Sequence, residues 1–121
     1  MQRISMTFPV SALAVAAGIA AVDDGAHRDP VFVHNRDLLR RFTQTLIDVG
    51  LHVFPSHANF VLIRFDDSAR PARDAWRYLF ERGIVARMFA SPDYRNMIRI
   101  TIGLEPEMHA AAAALRDYLR G

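Results

Sequence analysis

Arg87 and Arg99 are the residues of this chain whose type and spacing best suit chemistry. They stand twelve positions apart within the stretch from Gly83 to Gly103, which reads as two strands carrying one arginine each, joined by a short loop. The second strand is Met97-Ile98-Arg99-Ile100-Thr101-Ile102. Side chains alternate along a strand. Ile98, Ile100 and Ile102 therefore share one face, and Met97, Arg99 and Thr101 the other. The isoleucines account for a core. The arginine serves none, and its planar fork suits a carboxylate or a phosphate. A solvated face or a structural salt bridge also fits the bare strand pattern.

Other side-chain types narrow the chemistry by their absence. All fifteen basic residues are arginine, so no step that needs a lysine amine can run through these residues alone. There is no cysteine, which excludes thiolate nucleophiles, zinc–thiolate sites and disulfides. His27, His34, His52, His57 and His109 show no metal-ligand spacing. Asp23-Asp24 and Asp66-Asp67 are neighbours that alternate in direction, and they read as a helix end and a turn. Neither a serine-nucleophile signature nor a glycine-rich phosphate loop is present.

The net charge is only +2, and the arginines are spread from Arg3 to Arg120. A nucleic-acid surface concentrates its charge, so no nucleic-acid partner is expected. Arg70, Arg73 and Arg77 recur at helical spacing and read as a solvated helix face. Met1-Gln2-Arg3 followed by apolar residues through Val22 has the outline of a signal peptide. Pro9 and Gly18 interrupt it, however, and most of its apolar residues are alanine. The run is too weakly hydrophobic to span a membrane, so a cytoplasmic location is expected.

These side chains need elements to position them. Residues 10–23 read as a helix with Ser11 near its start and no polar face, and an all-round apolar helix must be covered on every side. Asp29-Pro30 suits the start of a second helix, with Val31, Leu38, Leu39, Phe42, Leu46 and Val49 at helical spacing, Asn35 the exception among them, and Gly50 as the stop. Strands follow at 52–54 and 59–65. A third helix runs over 71–82, with Trp76 on its apolar stripe and Gly83 at its end. Strands at 84–88 and 97–102 and a last helix at 106–120 complete the order α-α-β-β-α-β-β-α. The predicted fold is one α+β domain: an antiparallel or mixed sheet of three or four strands with helices packed on one face.

Four segments resemble the C-terminal small domain of histidinol-phosphate aminotransferases, fold-type-I enzymes that depend on pyridoxal phosphate. They are Phe8-Pro9-Val10-Ser11-Ala12-Leu13-Ala14-Val15-Ala16-Ala17; Gly50-Leu51-His52-Val53-Phe54-Pro55-Ser56-His57-Ala58-Asn59-Phe60; Arg82-Gly83-Ile84-Val85-Ala86-Arg87; and Ile98-Arg99-Ile100-Thr101-Ile102-Gly103. Their order and spacing agree from about Phe8 to Leu119.

The resemblance implies that Arg99 contacts the anionic part of a substrate and that Arg87 helps to hold its phosphate, with Asn59 nearby. It also implies that residues 1–26 form a helix joining a large domain and that 27–121 form the small α/β domain. The large domain of such enzymes supplies the Schiff-base lysine, the aspartate on the pyridine nitrogen and the phosphate cup. This chain has none of that lysine chemistry, so it is expected to hold no cofactor and to be inactive alone. The expected partners are a large aminotransferase domain, or a second copy through the N-terminal helix, and a small anionic substrate. One departure concerns the loop between the arginines. Relatives often carry tyrosine–glycine–leucine–proline there, whereas this chain has Pro92-Asp93-Tyr94-Arg95. A stand-alone anion-binding or oligomerisation module is the alternative reading.

Overall fold

In a computed structural model, which describes residues 10–121, the Ser11 hydroxyl caps the first helix by accepting the Ala14 N–H at 3.2 Å. Arg3, Phe8 and Pro9 lie outside the described residues. Helix α1 spans Ala12–Asp23, and α2 spans Gly25–Asp48. The chain divides into two compact units between Val33 and His34, and α2 contributes to each.

In the first unit, none of the residues of α1 is buried. The turn between the helices is a single residue. Asp24 accepts the His27 N–H on its carboxylate at 3.1 Å, so α2 begins at Gly25 and not at Asp29-Pro30 as the sequence suggests. Asp24 supplies a cap earlier than Asp29 would. Pro30 then falls inside the helix, where its ring removes the one N–H that would have bonded to Ala26.

The second unit holds the core. Strands β1 (His52–Val53), β2 (Phe60–Arg64), β3 (Arg87–Met88) and β4 (Met97–Thr101) form one antiparallel sheet in the order β1-β2-β4-β3. β3 is shorter than the sequence suggests, because Ile84 to Ala86 do not pair. Val61, Ile63, Ile98 and Ile100 are buried on one face of the sheet. Helices α3 (Ala72–Phe80) and α4 (Glu105–Arg120) bring Ala75, Leu79, Met108 and Leu115 to the same core, and α2 adds Leu38, Phe42 and Leu46. The domain is therefore α+β, with a four-stranded sheet.

Two glycines close helices as their positions suggest. Gly50 has φ +91° and Gly83 has φ +74°, the left-handed backbone in which a side chain would be strained. Tyr118 closes the far end of the core. Its hydroxyl donates to the Pro71 carbonyl at 3.1 Å, and burial, followed by the nearby Asp74 charge, raises its pKa above the usual tyrosine value.

Candidate functional site

The second face of the sheet is left open. Strand β2 alternates half-buried and buried residues from Phe60 to Arg64, and β4 does so from Met97 to Ile100. The half-buried set is Phe60, Leu62, Arg64, Met97 and Arg99. Register fixes how these side chains meet. Arg99 pairs with Leu62 on β2 and with Arg87 on β3. Residues directly opposite across an antiparallel pair share a face, with Cα atoms about 4.5–5.5 Å apart. The two arginines singled out by sequence are thus brought together, side by side on the open face.

Their surroundings favour an anion. Among the described residues, ion pairs engage Arg28, Arg36, Arg41, Arg64 and Arg77, but neither Arg87 nor Arg99. Arg64 shows the contrast. It shares the face, yet its guanidinium is neutralised by Asp66 at 2.7 Å. Arg99 is half-buried, and its Nε is a buried donor with no hydrogen-bond partner. A buried donor without an acceptor is costly, and no carboxylate of the described residues offsets that cost by pairing with this guanidinium.

Aromatic rings frame the pair. The Arg99 guanidinium carbon lies 5.0 Å from the centre of the Phe60 ring, and that of Arg87 lies 5.8 Å from the centre of Phe89. Tyr94, in the short 3-10 turn Pro92–Tyr94, packs against Phe89 with ring centres 5.5 Å apart. The Pro92–Tyr94 turn therefore lies beside Phe89, at the Arg87 side of this face. Three further hydrogen bonds hold the strands in place. Trp76 Nε1 donates to the Ala86 carbonyl at 3.0 Å, next to Arg87. Asn96, next to β4, accepts the Ala72 N–H on its side-chain oxygen at 3.1 Å, and its own carbonyl accepts the Phe65 N–H at 3.0 Å.

Asn59 is placed differently. It is exposed just ahead of β2, and its main-chain carbonyl accepts the Ile102 N–H at 2.8 Å. Strand alternation puts it out of phase with Phe60, and hence with Arg99. Phe60 and Phe89 were missed by sequence reasoning. Phe60 is visible only as a large side chain in phase with Leu62 and Arg64, and nothing local links it to Arg99.

Other features lie apart from this face. An open groove of about 540 Å³ between α2 and α4 is lined by Leu38, Phe42, Met108, Ala112, Arg41 and Arg116, among others, and includes neither site arginine. Among the described residues, no group of three or more His, Cys, Asp or Glu could hold a metal ion. No helix of the described residues is long and apolar enough to cross a membrane.

Comparison with known proteins gives this geometry a context. Residues 1–115 match the model of the family described as aminotransferase class I and II. The chain is 38% identical over 121 residues to the histidinol-phosphate aminotransferase of Rhodospirillum centenum, covering 100% of this chain and 33% of that protein. It is 38% identical over 120 residues to the enzyme of the same description from Nitrobacter winogradskyi, covering 98% of this chain and 33% of that protein. The crystal structure of histidinol-phosphate aminotransferase from Sinorhizobium meliloti, in complex with pyridoxal-5'-phosphate, matches with a TM-score of 0.78 at 32% identity, over 98% of this chain and 33% of that one. The chain spans about a third of the length of the curated relatives it matches.

Proposed function

Because the chain belongs to the class I and II aminotransferase family, we propose that it forms the substrate-anion-binding part of a histidinol-phosphate aminotransferase-like enzyme. Arg99 and Arg87 hold the anionic group of the substrate, and Asn59, out of phase with Arg99 along the strand, is assigned no contact with it. The observation that carries this reading is the strand register, which sets two unpaired guanidiniums opposite each other on one open face. Like charges directly opposite across a sheet repel. A phosphate or carboxylate between them replaces that repulsion with charge-assisted hydrogen bonds worth about 1.5–3 kcal/mol each.

Pyridoxal phosphate, when bound, supplies an electron sink for carbanion chemistry. The residues present do not fit its covalent attachment, since a Schiff base needs a primary amine side chain and the chain has no lysine. No step of transamination is assigned to these residues. Their part is to bind and orient the substrate anion, and the lysine comes from a large domain that acts with this one. Helix α1 is the surface offered to that domain or, in the second reading, to another copy of this chain. The absence of any buried residue along α1 supports both versions of the partner. Neither a nucleic acid nor a membrane enters this reading, which puts the protein in the cytoplasm.

The test is a titration of the chain with histidinol phosphate, glutamate and inorganic phosphate, followed by backbone amide shifts. Without a second domain to exclude water, binding is expected in the millimolar range, about 4 kcal/mol. Perturbations should centre on Arg87 and Arg99 and vanish in Arg99→Ala. Shifts spread evenly over all arginines, or a response unchanged in Arg99→Ala, would overturn the proposal.

A further inference from the structure

The least explained atom of the open face is Arg99 Nε, buried and without an acceptor. A guanidinium offers an anion two kinds of bidentate edge: the side edge through Nε and one Nη, and the end through Nη1 and Nη2. Burial of Nε closes the side edge and leaves the end. The Phe60 ring lies under the same guanidinium, 5.0 Å from ring centre to Cζ. Its backbone is held on both sides. The Phe60 carbonyl accepts the Ser56 hydroxyl at 2.7 Å, and the preceding carbonyl accepts the Ile102 N–H at 2.8 Å. Leu62, the register partner of Arg99, is too short and apolar to orient a cation. Phe60 therefore offers Arg99 a fixed aromatic face.

We infer that Phe60 is a positioning residue that stacks on Arg99, shields its Nε and aims the Nη1–Nη2 end of the guanidinium at the substrate anion. The inference rests on the anion-site reading and deepens it. A long arginine side chain loses rotamer freedom when it grips a ligand. Stacking on a ring that is already in place removes much of that loss before the anion arrives, and the ring quadrupole steadies the cation. The ring also excludes water from one side of the charge, which strengthens its attraction for an anion on the other.

The experiment follows the Arg99 Nε–Hε cross-peak by ¹⁵N NMR in the full chain, together with phosphate titrations. A proton over an aromatic face is shielded, so the Arg99 Hε of the wild-type protein should resonate upfield of the other arginines. It should keep that position when phosphate is added. In Phe60→Leu the peak should move back among the others, and phosphate affinity should fall about fivefold. Phe60→Tyr should restore both, while the amide shifts of Val61, Ile98 and Ile100 stay in place in each variant. An Hε without the upfield shift in the wild type would overturn the inference even if Phe60→Leu failed to fold. So would an unchanged affinity in Phe60→Leu, or a loss in Phe60→Tyr equal to that in Phe60→Leu. A large downfield jump of Hε on phosphate addition would mean that Nε itself donates, and would overturn the end-on geometry. If the wild-type chain ignores phosphate, the anion-site reading falls, and the Nε–Hε position separately decides whether Phe60 holds the guanidinium.

Discussion

Arg87 and Arg99 face each other across β3 and β4, and among the described residues neither is held in an ion pair. Opposed like charges on a sheet cost roughly 0.2–1 kcal/mol. Arg87→Gln should therefore raise stability by about 0.5 kcal/mol in low-salt buffer free of phosphate, as read from the urea midpoint. The gain should disappear at about 1 M salt, where screening acts within about 3 Å. If the pair binds an anion as proposed, the gain should also shrink when phosphate is added, because only the wild-type pair is then stabilised. A variant less stable than wild type at low salt would show that Arg87 is held by attractive contacts, its Phe89 neighbour first among them.

At the scale of elements, the join between α3 and β4 is the informative one. Pro71 precedes α3 but has no side chain that can cap it. The cap comes from Asn96, 24 residues beyond Ala72, whose N–H it accepts. A single amide thus closes the helix and fixes the approach to the strand that carries Arg99. Loss of a cap costs about 1 kcal/mol, and up to about 2 in some proteins. Asn96→Ala should lower the urea midpoint by that amount and weaken phosphate binding as the start of β4 loosens. Asn96→Asp keeps an acceptor and should retain most of the stability. If Asn96→Ala unfolds at the wild-type midpoint, the cap contributes nothing net. Sequence periodicity located α3 well, since Ala72, Ala75 and Leu79 recur on one face and are all buried. It missed the cap because no local pattern joins residue 96 to residue 72.

At the scale of the whole molecule, α1 is the element without a core. Leu13 is 84% exposed, Ile19 61% and Val15 49%. In the proposed reading this apolar surface is where a partner docks. Of the two proposed occupants, a large aminotransferase domain and a second copy, only the second makes a demand on the free chain by itself. Sedimentation should show self-association that rises with concentration, and replacing Val15 and Ile19 together by glutamate should give a more monomeric species. A wild-type chain that stays monomeric at high concentration would remove the self-association version and leave the large domain as the partner.

Much of this protein was determined by sequence alone, wherever the determinant is local. The missing lysine is a covalent fact that no fold can alter. The alternation around Arg99 assigned its face, the glycines at 50 and 83 ended their helices, and the apolar stripes supplied the core, because each depends on residues a few positions apart. The start of α2 was misread for the converse reason. Two capping aspartates compete there, Asp24 and Asp29, and the earlier one is used. Only the tertiary structure decided what meets across the sheet. Arg87 stands opposite Arg99, Phe60 lies under the guanidinium, and Asn59 falls out of phase, all through non-local pairing of β2, β3 and β4. Register has a period of two, and a slip of one residue in β3 would turn Arg87 to the other face. The chain carries both cations in its sequence, but only the hydrogen bonds of the sheet set them opposite each other on one face.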